Sequence, residues 1–220
     1  AERLASMIEL YKTRAIIDWN INPAATIVEE IPAMATMGIA GFKVFMVVDT
    51  GRDYPHMPGI GVHDHGKLLE IFEAIRPTGI RFMVHPHDQE LMDHIEAQYW
   101  ARGERDALAY AKAYSAHDGI IWDTAAALLL RLQLATGTPL HLLHTHTHGV
   151  VDQIRAAKAR GQDVSAELNP WAVFLGNEWA NIERWGSYAL SYYVPEHNTE
   201  TLWEALADGT IDLISTDHAP

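Results

Sequence analysis

Four polar residues that could bind a metal ion lie within or directly after short apolar runs of the sequence. The runs are 41–46, 82–85, 139–144 and 211–217, and the four residues are Lys43, His85, His144 and Asp217. Each run has the length and the β-branched or aromatic content of a buried parallel strand. Polar groups at the ends of successive parallel strands converge on one face of a barrel, so we expect these side chains to lie together. A lysine, two histidines and an aspartate gathered in this way indicate a metal site for hydrolysis.

Each of these residues also has an ordinary structural explanation when it is considered alone. A lysine within an apolar strand more often extends its ammonium to solvent while its stem stays buried. His85 and His144 could each be a core histidine with satisfied hydrogen bonds, and Asp217 could cap a following helix. Four such residues at consecutive strand ends are hard to explain by separate structural roles, so together they favour a functional site.

The composition limits the classes of protein and ligand that fit the chain. Its 220 residues, 48% of them hydrophobic, are enough for one soluble domain with a large core. Its 16 basic and 29 acidic residues give a net charge of −13, which disfavours nucleic acid and anionic membranes as partners. No apolar stretch reaches the ~18 residues of a membrane span. The absence of cysteine leaves histidine and carboxylate as metal ligands and fits a cytoplasmic protein.

Segments typical of strands and helices alternate along the whole chain. Strands are predicted over 15–19, 42–48, 80–85, 140–144, 164–168 and 211–216. Helices are predicted over 4–12, 24–37, 67–75, 123–135, 150–159 and 199–207, with a helical stretch over 89–116 that could be two helices. Six strand-then-helix steps indicate a parallel α/β fold, either a doubly wound sheet or a (β/α)8 barrel.

The same pattern favours one of these two architectures and sets the domain count. No Gly-x-Gly-x-x-Gly motif follows a predicted strand, which excludes the usual dinucleotide-binding form of the doubly wound sheet. Six steps are fewer than the eight of a complete barrel. We therefore expect an α/β chain that forms a (β/α)8 TIM barrel with strands 3 to 8 present and strands 1 and 2 missing. Residues 1–220 should form a single partial domain, since no linker divides them.

Several motifs resemble those of one enzyme family and occur in that family's order. They are Gly41-Phe42-Lys43-Val44-Phe45-Met46, Val84-His85, His144 within a strand, and Thr216-Asp217-His218-Ala219-Pro220. This set is similar to the cyclic amidohydrolases, namely dihydroorotase, hydantoinase (dihydropyrimidinase) and allantoinase, and residues 205–220 most resemble dihydroorotase. The resemblance implies a hydrolase that opens the C–N bond of a cyclic amide of the dihydroorotate, hydantoin or dihydropyrimidine type by attack of a metal-bound hydroxide.

The resemblance also implies a role for each of the four residues. Lys43 would react with CO2, and the resulting carbamate would bridge two metal ions where an ammonium would repel them. His85 and His144 would bind the second ion through neutral imidazole nitrogens. Asp217 would bind the first ion and carry the proton from the attacking hydroxide to the leaving nitrogen. Two Zn2+ ions are favoured by the ligand types, and Mn2+, Co2+ or Fe2+ would also be accepted.

Two alternatives to this function stay open, and the resemblance bears on partners as well. One alternative is a mononuclear amidohydrolase with a different class of substrate and no carbamate. The other is a non-catalytic, hydantoinase-like assembly protein, which would have no reason to keep all four ligands. Similar enzymes imply a homo-oligomer, a dimer or a tetramer, acting on a small-molecule cyclic amide without nucleic acid or membrane.

The remaining histidines and aromatic residues lie outside this set of four. His63-Asp64-His65 has the His-x-His form of the family's first metal motif, but it follows Lys43, so we expect a solvated loop there. The family's own His-x-His would lie on the missing first strand. His87, His146 and His148 are expected to support the ligands or the pocket rather than to coordinate metal. An aromatic-rich segment contains Trp171, Trp179, Trp185, Tyr188, Tyr192 and Tyr193, and could be a lid or ordinary packing.

Overall fold

Five parallel strands form one sheet in which the spatial order of the strands follows the order of the chain. The structure is a computed structural model that describes residues 1–47, 61–174, 179–186 and 198–218. The strands are β1 (Gly41–Phe45), β2 (Arg81–His85), β3 (Leu140–Leu142), β4 (Val164–Leu168) and β5 (Leu213–Ile214). Every neighbouring pair is parallel, which confirms the predicted parallel α/β class.

Helices connect the strands, and several of them begin at a polar capping residue. They are α1 (Glu2–Arg14), α2 (Ile31–Ala35), α3 (His65–Ile75), α4 (Gln89–Ala101), α5 (Ala107–Tyr114), α6 (Ala116–Thr136), α7 (His148–Ala159), α8 (Pro170–Phe174), α9 (Trp179–Trp185) and α10 (Asn198–Ala207). Asp64, Asp88, Asp106 and Thr147 each accept a hydrogen bond from a backbone N–H of the first turn of α3, α4, α5 and α7, respectively. The stretch 89–116 is thus mostly two helices, and α6 becomes regular only after a left-handed turn at 117–119.

The first predicted strand, over 15–19, is not formed. Ile16 and Ile17 are 97% and 78% exposed, and the segment makes no ladder with β1. Instead, Lys43 of β1 donates its N–H to the Pro23 carbonyl at 2.9 Å and accepts from the Ala25 N–H at 3.1 Å. The β-branched residues predicted a strand from local propensity, but later residues take the pairing position beside β1. The described residues therefore contain five strands, and the predicted helix over 24–37 shortens to α2 after a 3-10 turn.

The strands that precede His144 and Asp217, β3 and β5, are shorter than predicted. β3 ends at Leu142, so His144 lies beyond it, and β5 covers only Leu213–Ile214, whose side chains are half-exposed rather than buried. His144 and Asp217 have φ angles of 52° and 50°, in the left-handed region that non-glycine residues rarely adopt. The chain therefore turns sharply at both positions, directly after the strands that deliver them.

The two faces of the sheet carry different residues because side chains alternate along a strand. On one face the strand register aligns six fully buried apolar residues: Phe42, Val44, Phe82, Val84, Leu140 and Leu142. This face packs against the helices, and the ring of Phe82 meets that of Phe72 in α3 edge-on at 4.9 Å. The opposite face carries Lys43, Phe45, Met83, His85 and His141. The chemistry predicted from the sequence therefore lies on the face away from α3.

None of the helices in the described residues is both long and apolar enough to cross a membrane.

A side chain at Gly149, in the first turn of α7, would have to displace the carboxylate of Asp123. A Cβ there would lie 1.9 Å from Oδ2 and 2.5 Å from Cγ of Asp123, whose carboxylate also accepts from the Thr147 hydroxyl at 2.6 Å. We expect Gly149→Ala to lower the free energy of unfolding by about 1–3 kcal/mol despite the better helix propensity of alanine. Urea denaturation measures this, with Gly66→Ala in the first turn of α3 as the control, since its Cβ meets only an Asp64 oxygen at 3.2 Å. Equal midpoints for the two variants would contradict the expectation.

Candidate active site

Three of the four predicted ligands come together at the carboxyl ends of the strands. His144 Nε2 lies 3.7 Å from Asp217 Oδ2, and the His144 and His85 ring centres are 5.2 Å apart. Lys43 is on the same face, but its ammonium lies 4.5 Å from the ring centre of Phe45, which in turn packs 5.9 Å from the His85 ring. Among the described residues, no three histidine or carboxylate side chains are already arranged to bind one ion.

The nitrogen and oxygen atoms of this cluster nevertheless fit a metal ion. Nε2 of His85 is buried and has no hydrogen-bond partner. Burial, reinforced by neighbouring His144, lowers the pKa of His85 well below its usual value, so its imidazole is neutral and offers a lone pair. Two ligands about 2.1 Å from a tetrahedral ion are ~3.4 Å apart, so the 3.7 Å between His144 and Asp217 needs little adjustment.

Backbone strain at His144 and Asp217 supports a functional interpretation of the cluster. A non-glycine residue in the left-handed region costs about 1–3 kcal/mol and persists only where the surroundings hold it. His144 and Asp217 both adopt this conformation, each follows a short strand, and their side chains approach each other. The residue types did not predict this left-handed backbone. Aspartate and histidine adopt it several-fold more often than other non-glycine residues, but it stays uncommon even for them.

A buried carboxylate that the sequence analysis did not single out joins two of the histidines. Glu167 of β4 contacts Nε2 of His141 at 3.3 Å through one oxygen and Nδ1 of His144 at 3.4 Å through the other. Nδ1 of His141 in turn lies 2.8 Å from the hydroxyl of Ser165. The polar alternation of Ser165 and Glu167 in a buried strand was the signal that could have revealed this cluster.

Asn169, two residues after Glu167, contacts another buried histidine, His146. Its Nδ2 donates to the Ser215 carbonyl at 2.8 Å, so its Oδ1 is the acceptor that faces His146 Nε2 at 3.0 Å. The His146 ring is packed between Trp122 and Trp171, with ring centres 5.1 and 4.5 Å away. Burial lowers the pKa of His146 to about 3, so this histidine is neutral. His146 lies outside the pair formed by His144 and Asp217, its ring centre 6.4 Å from that of His144, and its supporting role stays a prediction.

The other histidines divide into surface and buried positions. His63 and His65 are exposed on either side of Asp64, which caps α3; His63 lies in the predicted solvated loop, whereas His65 is the first residue of the helix. They line a cavity of about 100 Å³ together with buried His87, whose Nδ1 lies 3.2 Å from the hydroxyl of Tyr114. His148 is half-exposed and lies 3.0 Å from an oxygen of Asp118. Of the aromatic-rich segment, Tyr188, Tyr192 and Tyr193 lie outside the described residues.

Comparison with known proteins agrees with the motifs on the strands. No protein-family model matches the chain. It is 31% identical to an L-hydantoinase of Paenarthrobacter aurescens over 194 residues, 86% of this chain and 39% of that protein. It is 44% identical to a dihydroorotase of Leifsonia xyli over 89 residues, 38% of this chain and 19% of that protein. The chain is homologous to the cyclic amidohydrolases.

A solved structure supports the same assignment at the level of the fold. The L-hydantoinase (dihydropyrimidinase) from Arthrobacter aurescens superposes with a TM-score of 0.83 at 28% identity, covering 98% of this chain and 47% of that structure. The resemblance to cyclic amidohydrolases predicted from the strand motifs is thereby confirmed. The chain spans less than half the length of the curated relatives it matches.

Proposed function

We propose that the protein is a metal-dependent hydrolase that opens the C–N bond of a cyclic amide of the hydantoin, dihydroorotate or dihydropyrimidine type. The observation that carries this proposal is the approach of His144 Nε2 to Asp217 Oδ2 beside the buried, unpartnered Nε2 of His85. The relatives named hydantoinase and dihydroorotase support the class of substrate. In this proposal residues 1–220 form part of the catalytic barrel, with the site at the carboxyl ends of its strands.

The proposed ligands are the four residues predicted from the sequence. His85 and His144 would bind through imidazole nitrogens, and Asp217 through a carboxylate oxygen. Lys43 must first lose its positive charge, and a carbamate on Nζ would replace the ammonium with an anion that has two oxygens for bridging two ions. Zinc suits this mixture of nitrogen and oxygen ligands, and manganese, cobalt or iron are also compatible. When bound, such ions would polarise the ring carbonyl and lower the pKa of the attacking water.

Asp217 is the residue proposed to move the proton. Its side chain is exposed at the mouth of the site, whereas His85 and His144 are largely enclosed, so a substrate can reach its carboxylate. Oδ2 would accept the proton of the attacking water and then donate it to the ring nitrogen as the C–N bond breaks. The neutral imidazoles serve as ligands in this scheme, since burial lowers the pKa of both His85 and His144.

Removal and restoration of metal tests the proposal directly. We expect the intact protein to open hydantoin, dihydroorotate or dihydrouracil rings, to lose this activity after dialysis against a chelator, and to regain it with Zn2+ or Mn2+. Ring opening is followed by the loss of ultraviolet absorbance, and bound metal by elemental analysis of the same samples. Full activity in a sample without metal would overturn the proposal.

The same measurements separate the two alternative functions. Full activity with one bound ion per chain would favour a mononuclear amidohydrolase without a carbamate. No bound ion and no ring opening with any of the three substrates would favour a non-catalytic assembly protein.

A further inference from the structure

Trp122 is a buried tryptophan whose indole N–H has no acceptor in the part of the chain that the structure describes. The side chain is 2% exposed, and no described residue accepts a hydrogen bond from its Nε1. An indole N–H can only donate, and it usually has a partner when it is buried, because leaving it without one costs free energy. Apolar packing alone therefore does not explain this tryptophan.

The indole of Trp122 lies against the candidate active site. Its ring centre is 5.4 Å from that of His85 and 5.1 Å from that of His146. The backbone holds it there, because the carbonyl of the preceding residue, Ile121, accepts from the N–H of Asp88 at 3.1 Å, three residues after His85. The indole N–H is part of this ring, so it lies near the carboxyl end of β2, where the proposed ligands gather.

The surroundings also fix the orientation of the ring. The ring of Tyr114 meets the indole edge-on at 5.3 Å, and the Tyr114 hydroxyl lies 3.2 Å from Nδ1 of His87. On the other side of the indole, the ring of His146 packs nearly perpendicular to it. A donor that is already held in place loses little freedom when its acceptor binds.

The neighbouring histidines do not satisfy the indole N–H. Nε2 of His85 and Nδ1 of His146 are buried beside it, and each of these nitrogens also has no hydrogen-bond partner among the described residues. A small molecule that satisfies the indole has to present an acceptor. The acceptors of a cyclic amide are its carbonyl oxygens, so this substrate class matches the donor that the protein presents.

We propose that Trp122 is a substrate-binding residue whose indole N–H donates a hydrogen bond to a carbonyl oxygen of the cyclic amide. The inference rests on the proposed function, from which the class of substrate comes. Trp122 then binds and orients the ring, without acting as a metal ligand or carrying a proton. A site that offers a fixed donor also discriminates against rings that lack the matching oxygen.

Removal of the donor tests the proposal by kinetics. Trp122→Phe keeps an aromatic ring in the core and removes only the N–H donor and part of the ring. We expect the KM for hydantoin or dihydrouracil to rise about 2–10-fold with little change in kcat, as for the loss of one hydrogen bond made equally before and during the reaction. Trp203→Phe, at a tryptophan that is 44% exposed, should change neither constant. An unchanged KM in folded Trp122→Phe would overturn the inference.

Nuclear magnetic resonance tests the same contact with Trp122 in place. The intact protein is labelled with 15N tryptophan, loaded with Zn2+, and carries Asp217→Asn to slow turnover. The Trp122 signal is the indole signal that disappears in the Trp122→Phe form of this protein. We expect hydantoin or dihydrouracil to move the Trp122 indole proton downfield and to leave the Trp203 signal in place. A Trp122 signal that does not respond to saturating ring would mean that this N–H binds buried water only, and would overturn the inference.

The two measurements separate a failure of this inference from a failure of the proposed function. Ring opening by the wild-type protein, combined with a Trp122 signal that does not respond to the ring, contradicts the role of Trp122 alone. A shifted Trp122 signal without ring opening by the wild-type protein contradicts the proposed function alone. Binding of neither ring contradicts both.

Discussion

Replacing Lys43 by methionine should abolish ring opening and reduce the bound metal to one ion per chain or fewer. Methionine keeps an apolar stem of similar length on β1 but cannot form a carbamate, so two cations would face each other without a bridging anion. Loss of an outer partner of a ligand costs about 10–100-fold in metal affinity or activity, and loss of a bridging ligand should exceed that. Elemental analysis and a ring-opening assay on the same preparation measure both effects.

A matched lysine substitution separates this effect from a general loss of charge. Lys67→Met, in the first turn of α3, removes an ammonium that pairs with Glu70 at 2.8 Å and should leave metal content and activity unchanged. Retention of activity and of two bound ions in Lys43→Met would rule out the carbamate and favour a site built from His85, His144 and Asp217 alone.

Asp217→Asn is expected to lower kcat by about 10²–10⁴-fold, the usual contribution of a positioned general acid–base group. An amide oxygen can still approach a metal ion, but it cannot accept and return a proton at neutral pH. Asparagine also tolerates the left-handed backbone found at this position, and the side chain is exposed, so the fold should be preserved. Steady-state kinetics with cyclic amide substrates and thermal unfolding of the same variant measure the two properties.

The control for this prediction is Asp163→Asn, which changes an exposed carboxylate paired with Arg81 at 2.8 Å, at the opposite end of the sheet. It should retain the wild-type kcat. If Asp217→Asn retained full kcat with its metal bound, another group would have to carry the proton, and the role proposed for Asp217 would be wrong.

Much of the fold could be predicted from local sequence patterns. Short apolar runs placed the ends of β1, β2 and β4 within one residue, apart from the end of β1, which was predicted three residues further along the chain. Ile16 and Ile17 show where such patterns fail, because β-branched residues favour a strand only if a neighbouring strand is there to pair with them. The prediction of a strand over 211–216 was too long for a related reason: β5 lies at the edge of the described sheet, and an edge strand can be half-exposed.

The sequence could name the residues proposed as ligands, but not the buried side chains that surround them. Lys43, His85 and His144 stood out because they interrupt apolar runs, and Asp217 because it ends one. Glu167 was overlooked because its importance depends on a contact between neighbouring strands, which the spacing of residues along one strand does not reveal.

The left-handed backbone at His144 and Asp217 carries a consequence for the stability of this chain. Glycine would adopt the same conformation without a steric penalty, so these two positions lie away from the most stable sequence for their own backbone. Glycine at either turn would remove that penalty and is expected to raise thermal stability, but it would also remove a side chain that the proposed site uses. These two turns are therefore less stable than their backbone conformation would allow, because they carry the residues that the proposed site needs.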